Sequence, residues 1–235
     1  MKKLLLSLYI VCAIVPVFAQ NIHRQYIFTQ EAIRLYQEKL SHKDFVAFPE
    51  VREEPIKWLD SLRPEWIKED YTVKPYLLHA QPGEYFVFQT GVWAVQHELK
   101  NLQVNFSDFK SKTGKIIPAK KMTCFNAGGI NYLGKPFTKQ INVPSGKVQA
   151  LWMGINLPST AIGKYYGTVT INANNISQTI KIQLDVNGKT LSDHGFDEGK
   201  RLSRLAWLNS DIGINNNITK GYIPVERKGN RIKVH

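Results

Sequence analysis

The sequence predicts a mainly β protein, an antiparallel β-sandwich preceded by a short helical leader, and three observations carry that reading. From Tyr76 onward the chain is built of short runs rich in Val, Ile, Phe, Tyr and Thr, separated by Gly, Pro and Asn; this is the texture of strands and turns. About seven such runs follow one another at the spacing of a sandwich. Two turn dipeptides, Ser145-Gly146 and Asn174-Asn175, join neighbouring runs with residues that tolerate positive φ.

Taken in order, residues 1–19 have the three parts of a secretory signal. Lys2 and Lys3 form a basic start, Leu4 to Pro16 an apolar stretch, and Val17-Phe18-Ala19 a small-residue cleavage site before Gln20. Cys12 does not read as a lipid anchor, because Val11 occupies the place where a small residue is needed and the apolar run continues past it. The expectation is export to the periplasm, the cell surface or the medium, with membrane contact only transient and through the signal. Removal of the signal leaves Cys124 as the single cysteine and lowers the formal charge from +12 to +10. No internal disulfide is then possible, and stability must come from a packed core.

Residues 20–74 read as a leader with helical turns that docks on the body. Thr29 to Ser41 is its clear helix, with Thr29 as cap and Ile33, Leu35, Tyr36 and Leu40 on an apolar face. A second helical piece is expected over Glu54 to Leu62, stopped by Pro64, and Pro49, Pro55 and Pro75 are expected to interrupt regular structure. Phe45, Phe48, Trp58 and Trp66 make the segment too aromatic for a free linker.

Residues 75–190 are the expected sandwich domain, with strands over Glu84–Val95, Leu99–Phe106, Lys115–Phe125, Phe137–Val143, Lys147–Ile155, Tyr165–Ala173 and Ile176–Val186. In the run after Lys147, Val148, Ala150, Trp152 and Gly154 face one way and Gln149, Leu151, Met153 and Ile155 the other. Both faces are largely apolar, so this strand belongs in the middle of a sheet. Pro158 ends it. Residues 191–235 read as an extension with a turn at Lys228-Gly229-Asn230 and the start of a strand, Arg231–His235, with no partner following.

Several of these stretches carry a resemblance. Leu151-Trp152-x-Gly154-Ile155-x-Leu157-Pro158, then Gly163-x-Tyr165-x-Gly167-x-Val169-x-Ile171, resembles a β-domain segment found ahead of glycoside hydrolase barrels. "PGEYFVFQTGVW" (Pro82–Trp93), "TCFNAGGINYLGKPF" (Thr123–Phe137) and "RLSRLAWLNSDIGINNNITKGYIPVERKGNRIKV" (Arg201–Val234) look like the amino-terminal domain of glycoside hydrolase family 123-like proteins. The resemblance runs over roughly Pro75 to His235, and the leader adds little to it. It implies a parent of the β-N-acetylgalactosaminidase type, exo-acting, retaining and substrate-assisted: the sugar's acetamido oxygen attacks, an Asp steadies it and a neighbouring Glu protonates the leaving oxygen. Substrate assistance departs from the usual two-carboxylate scheme. Those carboxylates lie in a (β/α)₈ barrel that follows the β domain, and a barrel takes about 200 residues or more. No position here matches the Asp-Glu motif, so no catalytic residue is assigned. The expectation is a truncated reading frame, or a gene split from its catalytic half.

Other candidates have plainer readings. Asp193, His194, Asp197 and Glu198 in "SDHGFDEG" lack EF-hand or zinc spacing and read as a polar turn. His23, His42, His79, His97 and His235 are scattered, so no metal and no cofactor is expected. "NAGGIN" (Asn126–Asn131) lacks the Lys-Ser/Thr of a phosphate loop and reads as a turn or bulge. Cys124, between Thr123 and Phe125, reads as a packing residue. Among the aromatics, Trp93 and Trp152 read as core, by the precedent of a buried sandwich tryptophan. Tyr166 and Trp207 are the candidate carbohydrate-binding residues. Basic residues are scattered, without the compact basic and aromatic run of a nucleic-acid module, so nucleic acid is not an expected partner. The expected partners are a glycan or a separately encoded catalytic barrel. The function read from the sequence is a non-catalytic accessory domain of a secreted glycoside hydrolase. The alternative is a stand-alone exported carbohydrate- or surface-binding module.

Overall fold

The structure, a computed structural model, describes residues 30–57, 62–211, 214, 217–218 and 220–233. The signal region, the Thr29 cap and Trp58 lie outside the described residues. Among the described residues two short α-helices, α1 (Gln30–Lys39) and α2 (Pro64–Lys68), accompany fourteen strands. In chain order these are β1 (Phe45–Val51), β2 (Tyr76–Ala80), β3 (Tyr85–Ala94), β4 (Gln103–Phe106), β5 (Phe109–Ser111), β6 (Ile116–Ile117) and β7 (Met122–Cys124). They continue with β8 (Gly128–Ile130), β9 (Pro136–Thr138), β10 (Val148–Asn156), β11 (Gly163–Ala173), β12 (Ile176–Val186), β13 (Glu226–Lys228) and β14 (Arg231–Lys233).

The expected mainly β sandwich is present. One sheet runs β1-β3-β10-β7; the other runs β2-β12-β11-β5-β6, with β4 also on β11. One pairing departs from the antiparallel rule, because β2 lies parallel to β12. Between the sheets, alternate residues interdigitate: Phe86, Phe88, Leu151 and Met153 from one, Tyr165, Val169, Ile182 and Leu184 from the other, all buried. Each large side chain so buried contributes roughly 1.5–3 kcal/mol.

β10 sits between β3 and β7, as its two apolar faces require. The reason for the second apolar face is the leader. Val148, Ala150, Trp93 and Val95 point away from the sandwich core and pack under Ile33 of α1 and under Ile56, Leu62 and Trp66. Trp66 stacks on Phe48 with ring centroids 4.5 Å apart.

Within the leader, read from the sequence as helical turns and irregular chain, one segment is a strand. Phe45–Val51 is a full edge strand, paired with β3 from Phe45↔Ala94 to Val51↔Phe88. Pro49 is tolerated because an edge strand can spare one N–H. The other backbone edge is partly capped by Gln178 of β12, which accepts from Ala47 N at 2.9 Å and donates to Ala47 O at 3.1 Å. Residues 54–57 are not helical and 58–61 lie outside the described residues. Pro64 starts a helix instead of stopping one, since at the first helical position its missing N–H has no partner to lose.

Of the two expected hairpin turns, one forms and one does not. Asn174-Asn175 is the expected tight hairpin, with φ of 50° and 63° and full β11–β12 register. Ser145-Gly146 is a turn, but not a hairpin between neighbours: β9 pairs with β8, Val143 bridges to Leu99, and β10 goes to β3. The C-terminal strand has a partner after all, β13, which precedes it across Gly229.

Candidate functional site

The extension after β12 decides where a site can form. Gln81-Pro82-Gly83-Glu84 makes a turn with Gly83 at φ 75°, closed by Glu84 N donating to Gln81 O. A side chain at Gly83 would run into Leu191 O, so the extension can lie directly against the turn. Leu191 N donates to Pro82 O, and Tyr85 N to His194 O.

Glu84 is fully buried there and is flanked by two guanidinium groups. Arg52 Nη1 lies 2.6 Å from Glu84 Oε1 and Arg201 Nη1 3.3 Å from the same oxygen. Gln81 N donates to Glu84 Oε2 at 2.8 Å, and Arg201 Nη2 to Gln81 Oε1 at 2.6 Å. One carboxylate thus ties together the leader, β3 and the extension.

Beyond this node two short 3₁₀ turns, Gly199–Arg201 and Ser203–Asn209, meet at Leu202, which is in the left-handed region at φ 56°. The second has about three residues per turn, so Ala206 and Asn209 fall on one face. That face closes a cavity of about 430 Å³ against Tyr85, Lys121, Thr123 and Asn156 of the four-stranded sheet and its approaches. Lys120, His194 and Phe196 complete much of its wall.

The polar groups of this cavity are oriented. Asn209 Nδ2 lies 3.5 Å from Thr123 Oγ1. Burial raises the Tyr85 phenol above its ordinary range, and a hydrogen bond with Thr123 works against that rise. His194 Nδ1 is 2.8 Å from the Gly83 carbonyl. A carbonyl only accepts, so Nδ1 carries the proton and Nε2 is the ring nitrogen left for other partners. Phe196 is held edge-on by Trp207 at 5.5 Å between centroids and faces His194 at 5.6 Å.

The two predicted carbohydrate-binding residues are far apart in role. Trp207 is 44% exposed, meets Phe196 edge-on and carries the Arg204 guanidinium 5.6 Å from its ring centre. Tyr166 lies half-buried on the outer face of β11, where it lines a separate groove with Lys110, Thr168 and Lys181. The structure does not bring the two into one site.

The remaining candidates take structural positions. Asp193 accepts the amide protons of Gly195 and Asp197, each at 3.0 Å, closing the polar turn. The Asp197 carboxyl hydrogen-bonds Asp193, holding Asp193 well below the usual carboxylate range and itself rising through the same contact. Glu198 is lowered by its hydrogen bond to Arg201, 2.9 Å away. Gly128–Ile130 of "NAGGIN" forms a strand of the β8–β9 hairpin. Cys124 is buried, and burial pushes its thiol up to about 11. Trp93 and Tyr165 are buried, while Trp152 is only half-buried.

Tyr85, Lys120, Lys121, Thr123, Phe196 and Asn209 were not singled out by the sequence. The one local signal is the pair Lys120-Lys121 directly ahead of strand β7.

No family model matches the chain, and no curated protein matches it. Among solved structures it is similar to a family 123 glycoside hydrolase from Clostridium perfringens, at 19% identity and a TM-score of 0.46 over 63% of this chain and 28% of that one. The chain therefore spans little more than a quarter of that enzyme. It is also similar to a PapD-like domain of human CEP192 (13% identity, TM-score 0.30, 59% and 99% covered). A third likeness is to the chaperone–tip adhesin complex of Csu pili from Acinetobacter baumannii (9%, TM-score 0.31, 68% and 72% covered).

Proposed function

We propose that this chain is the non-catalytic, amino-terminal β-sandwich domain of an exported glycoside hydrolase of family 123-like, β-N-acetylgalactosaminidase type, and that it works beside a catalytic barrel. The observation that carries the reading is the apolar surface of the extension. Trp207, Leu208, Tyr222, Ile223 and Val225 are all exposed there, and Leu133 and Phe137 of the β8–β9 hairpin, which the 203–209 turn contacts, are exposed as well. Exposed apolar groups in such number on one segment mark a surface that another body covers. In the family the sequence resembles, the body that follows the β domain is the barrel. Asp193, Asp197 and Glu198, on the segment that also carries His194 and Phe196 of the cavity wall, are engaged in a turn and an ion pair. That engagement favours an accessory role over chemistry of their own.

A second reading, a stand-alone exported module that binds carbohydrate or a surface, has one observation in its favour: the cavity closed by residues 206–210 is polar, basic and aromatic.

The test is hydrolysis of a chromogenic β-N-acetylgalactosaminide by the purified chain, alone and mixed with any barrel encoded beside its gene. The expected result is turnover only in the mixture, and its loss when Trp207 and Leu208 are both replaced by Ser. Turnover by the chain alone would overturn the proposal and return Asp193, Asp197 and Glu198 to consideration as catalytic groups. Turnover by the barrel unaffected by the chain would favour the second reading.

A further inference from the structure

We propose that the cavity between the four-stranded sheet and residues 206–210 binds an acidic saccharide, with Lys120 and Lys121 on the anionic group and Phe196 against the sugar ring. This goes beyond the accessory role and does not depend on a barrel. Four features of the wall converge on that class of ligand.

The first is charge. Lys120 and Lys121 are adjacent and both exposed, and among the described residues no acidic side chain lines the cavity with them. Two ammonium groups with no carboxylate in the wall leave a field that an incoming anion satisfies. The second is the density of neutral hydrogen-bonding groups. Tyr85, Asn156 and Asn209 offer a phenol and two amides, and His194 offers Nε2 because Gly83 O occupies Nδ1. Such a set pairs with several hydroxyls at once.

The third feature is the aromatic surface. Phe196 is fixed between His194 and Trp207, so it does not lose rotamer freedom when a ligand arrives. The apolar C–H face of a pyranose fits such a ring. The fourth is size: about 430 Å³ falls within the range of small-molecule sites. A bare inorganic anion would leave Phe196 and the amides unused, and a neutral sugar would leave the lysines unmatched.

The experiment is titration of the full chain, by calorimetry at low ionic strength, with glucuronic acid, galactose 6-sulfate, glucose and inorganic sulfate in parallel. At least one of the two sugar acids is expected to bind, and to bind more tightly than glucose or sulfate. Lys120→Ala/Lys121→Ala is expected to weaken sugar-acid binding by roughly tenfold or more, the worth of one charge-assisted hydrogen bond. Because both lysines are exposed, the melting temperature of that variant stays close to the parent's. Phe196→Ala is expected to weaken the sugar acid and leave inorganic sulfate unchanged. The proposal is overturned if sulfate or glucose binds as tightly as the sugar acids, if the double lysine variant keeps full affinity, or if nothing binds. None of these results bears on hydrolysis in the presence of a barrel, so the two proposals stand or fall separately.

Discussion

Arg52 Nη1 stands 2.6 Å from the carboxylate of Glu84, whose side chain has no exposed surface, and Arg201 approaches the same oxygen from the extension. The three residues are distant in sequence, and their meeting holds the leader and the extension against β3. The same Arg52 Nη1 donates to Arg201 O at 3.1 Å, so the two arms are also linked directly.

Glu84→Gln removes the one fully buried carboxylate of the cluster and leaves Arg52 and Arg201 only their more exposed partners, Glu53 and Glu198. Breaking a buried pair by removing one partner costs about 3–5 kcal/mol. The expected outcome in urea unfolding is a loss of that order. Glu38→Gln, which removes the exposed partner of Arg34 at 2.7 Å, is expected to cost under about 0.5 kcal/mol. Equal losses from the two variants would mean that burial does not govern the Glu84 cluster.

Gly167→Ala tests the packing of the second sheet. A Cβ at Gly167 would lie 1.8 Å from Phe109 Cδ1, and Phe109 is itself fully buried under β11. The ring has no solvent to move into, so the extra methyl forces a shift of strand or ring. Overpacking of this kind costs about 1–3 kcal/mol. The expected signature is a lower urea midpoint with an unchanged slope, and a neutral result would show that β5 is free to move away from β11.

The β11–β12 hairpin separates backbone conformation from side-chain bonding. Asn174 and Asn175 both have positive φ, but only Asn174 also holds another loop, accepting from Lys100 N at 3.0 Å and donating to Glu98 O at 2.8 Å. Asn175→Gly keeps the turn and is expected to change stability by less than about 0.5 kcal/mol. Asn174→Gly keeps the turn and loses two hydrogen bonds, for an expected cost of about 1–2 kcal/mol. Thermal unfolding of the two variants side by side decides it, and a reversed order would show that the link to the 98–100 loop carries no stability.

How much of this was legible in the sequence depends on the range of the contacts. The two-faced apolar pattern of Val148–Asn156 placed β10 inside a sheet, and Asn174-Asn175 announced a hairpin, because both signals are local. Phe45–Val51 was hidden by Pro49, which argues against a strand unless the strand is known to be an edge. The cavity had no local signature beyond the pair Lys120-Lys121. Tyr85, Lys121, Asn156, His194 and Asn209 come together only because the Pro82-Gly83 turn lets the extension fold back on β3. Glu84 was equally unreadable, a single carboxylate in an apolar run whose two cations lie on other segments.

Cys124 supplies a pH prediction with a definite sign. The thiol is buried between the sheets, beside Met153 in the register of β7 and β10, and burial raises it from 9.0 to about 11. Burial disfavours the thiolate, so the folded protein keeps the neutral thiol to higher pH than the unfolded chain does. Below about pH 8 the thiol is essentially neutral in both states and stability carries little dependence on this group. Between pH 9 and 11 the unfolded state loses the proton first, and stability falls as pH rises. Every tenfold gain in proton affinity is worth about 1.4 kcal/mol, so the loss attributable to the thiol across that window is about 2–3 kcal/mol. Tyrosines and lysines titrate in the same range, and Cys124→Ala isolates the thiol from them. The measurement is urea unfolding from pH 8 to 11 for both proteins. The parent is expected to lose stability more steeply than the alanine variant, which starts lower at pH 8 because it leaves a small cavity. Parallel curves would show that the thiol is open to water, and that β7 does not seal this edge of the core.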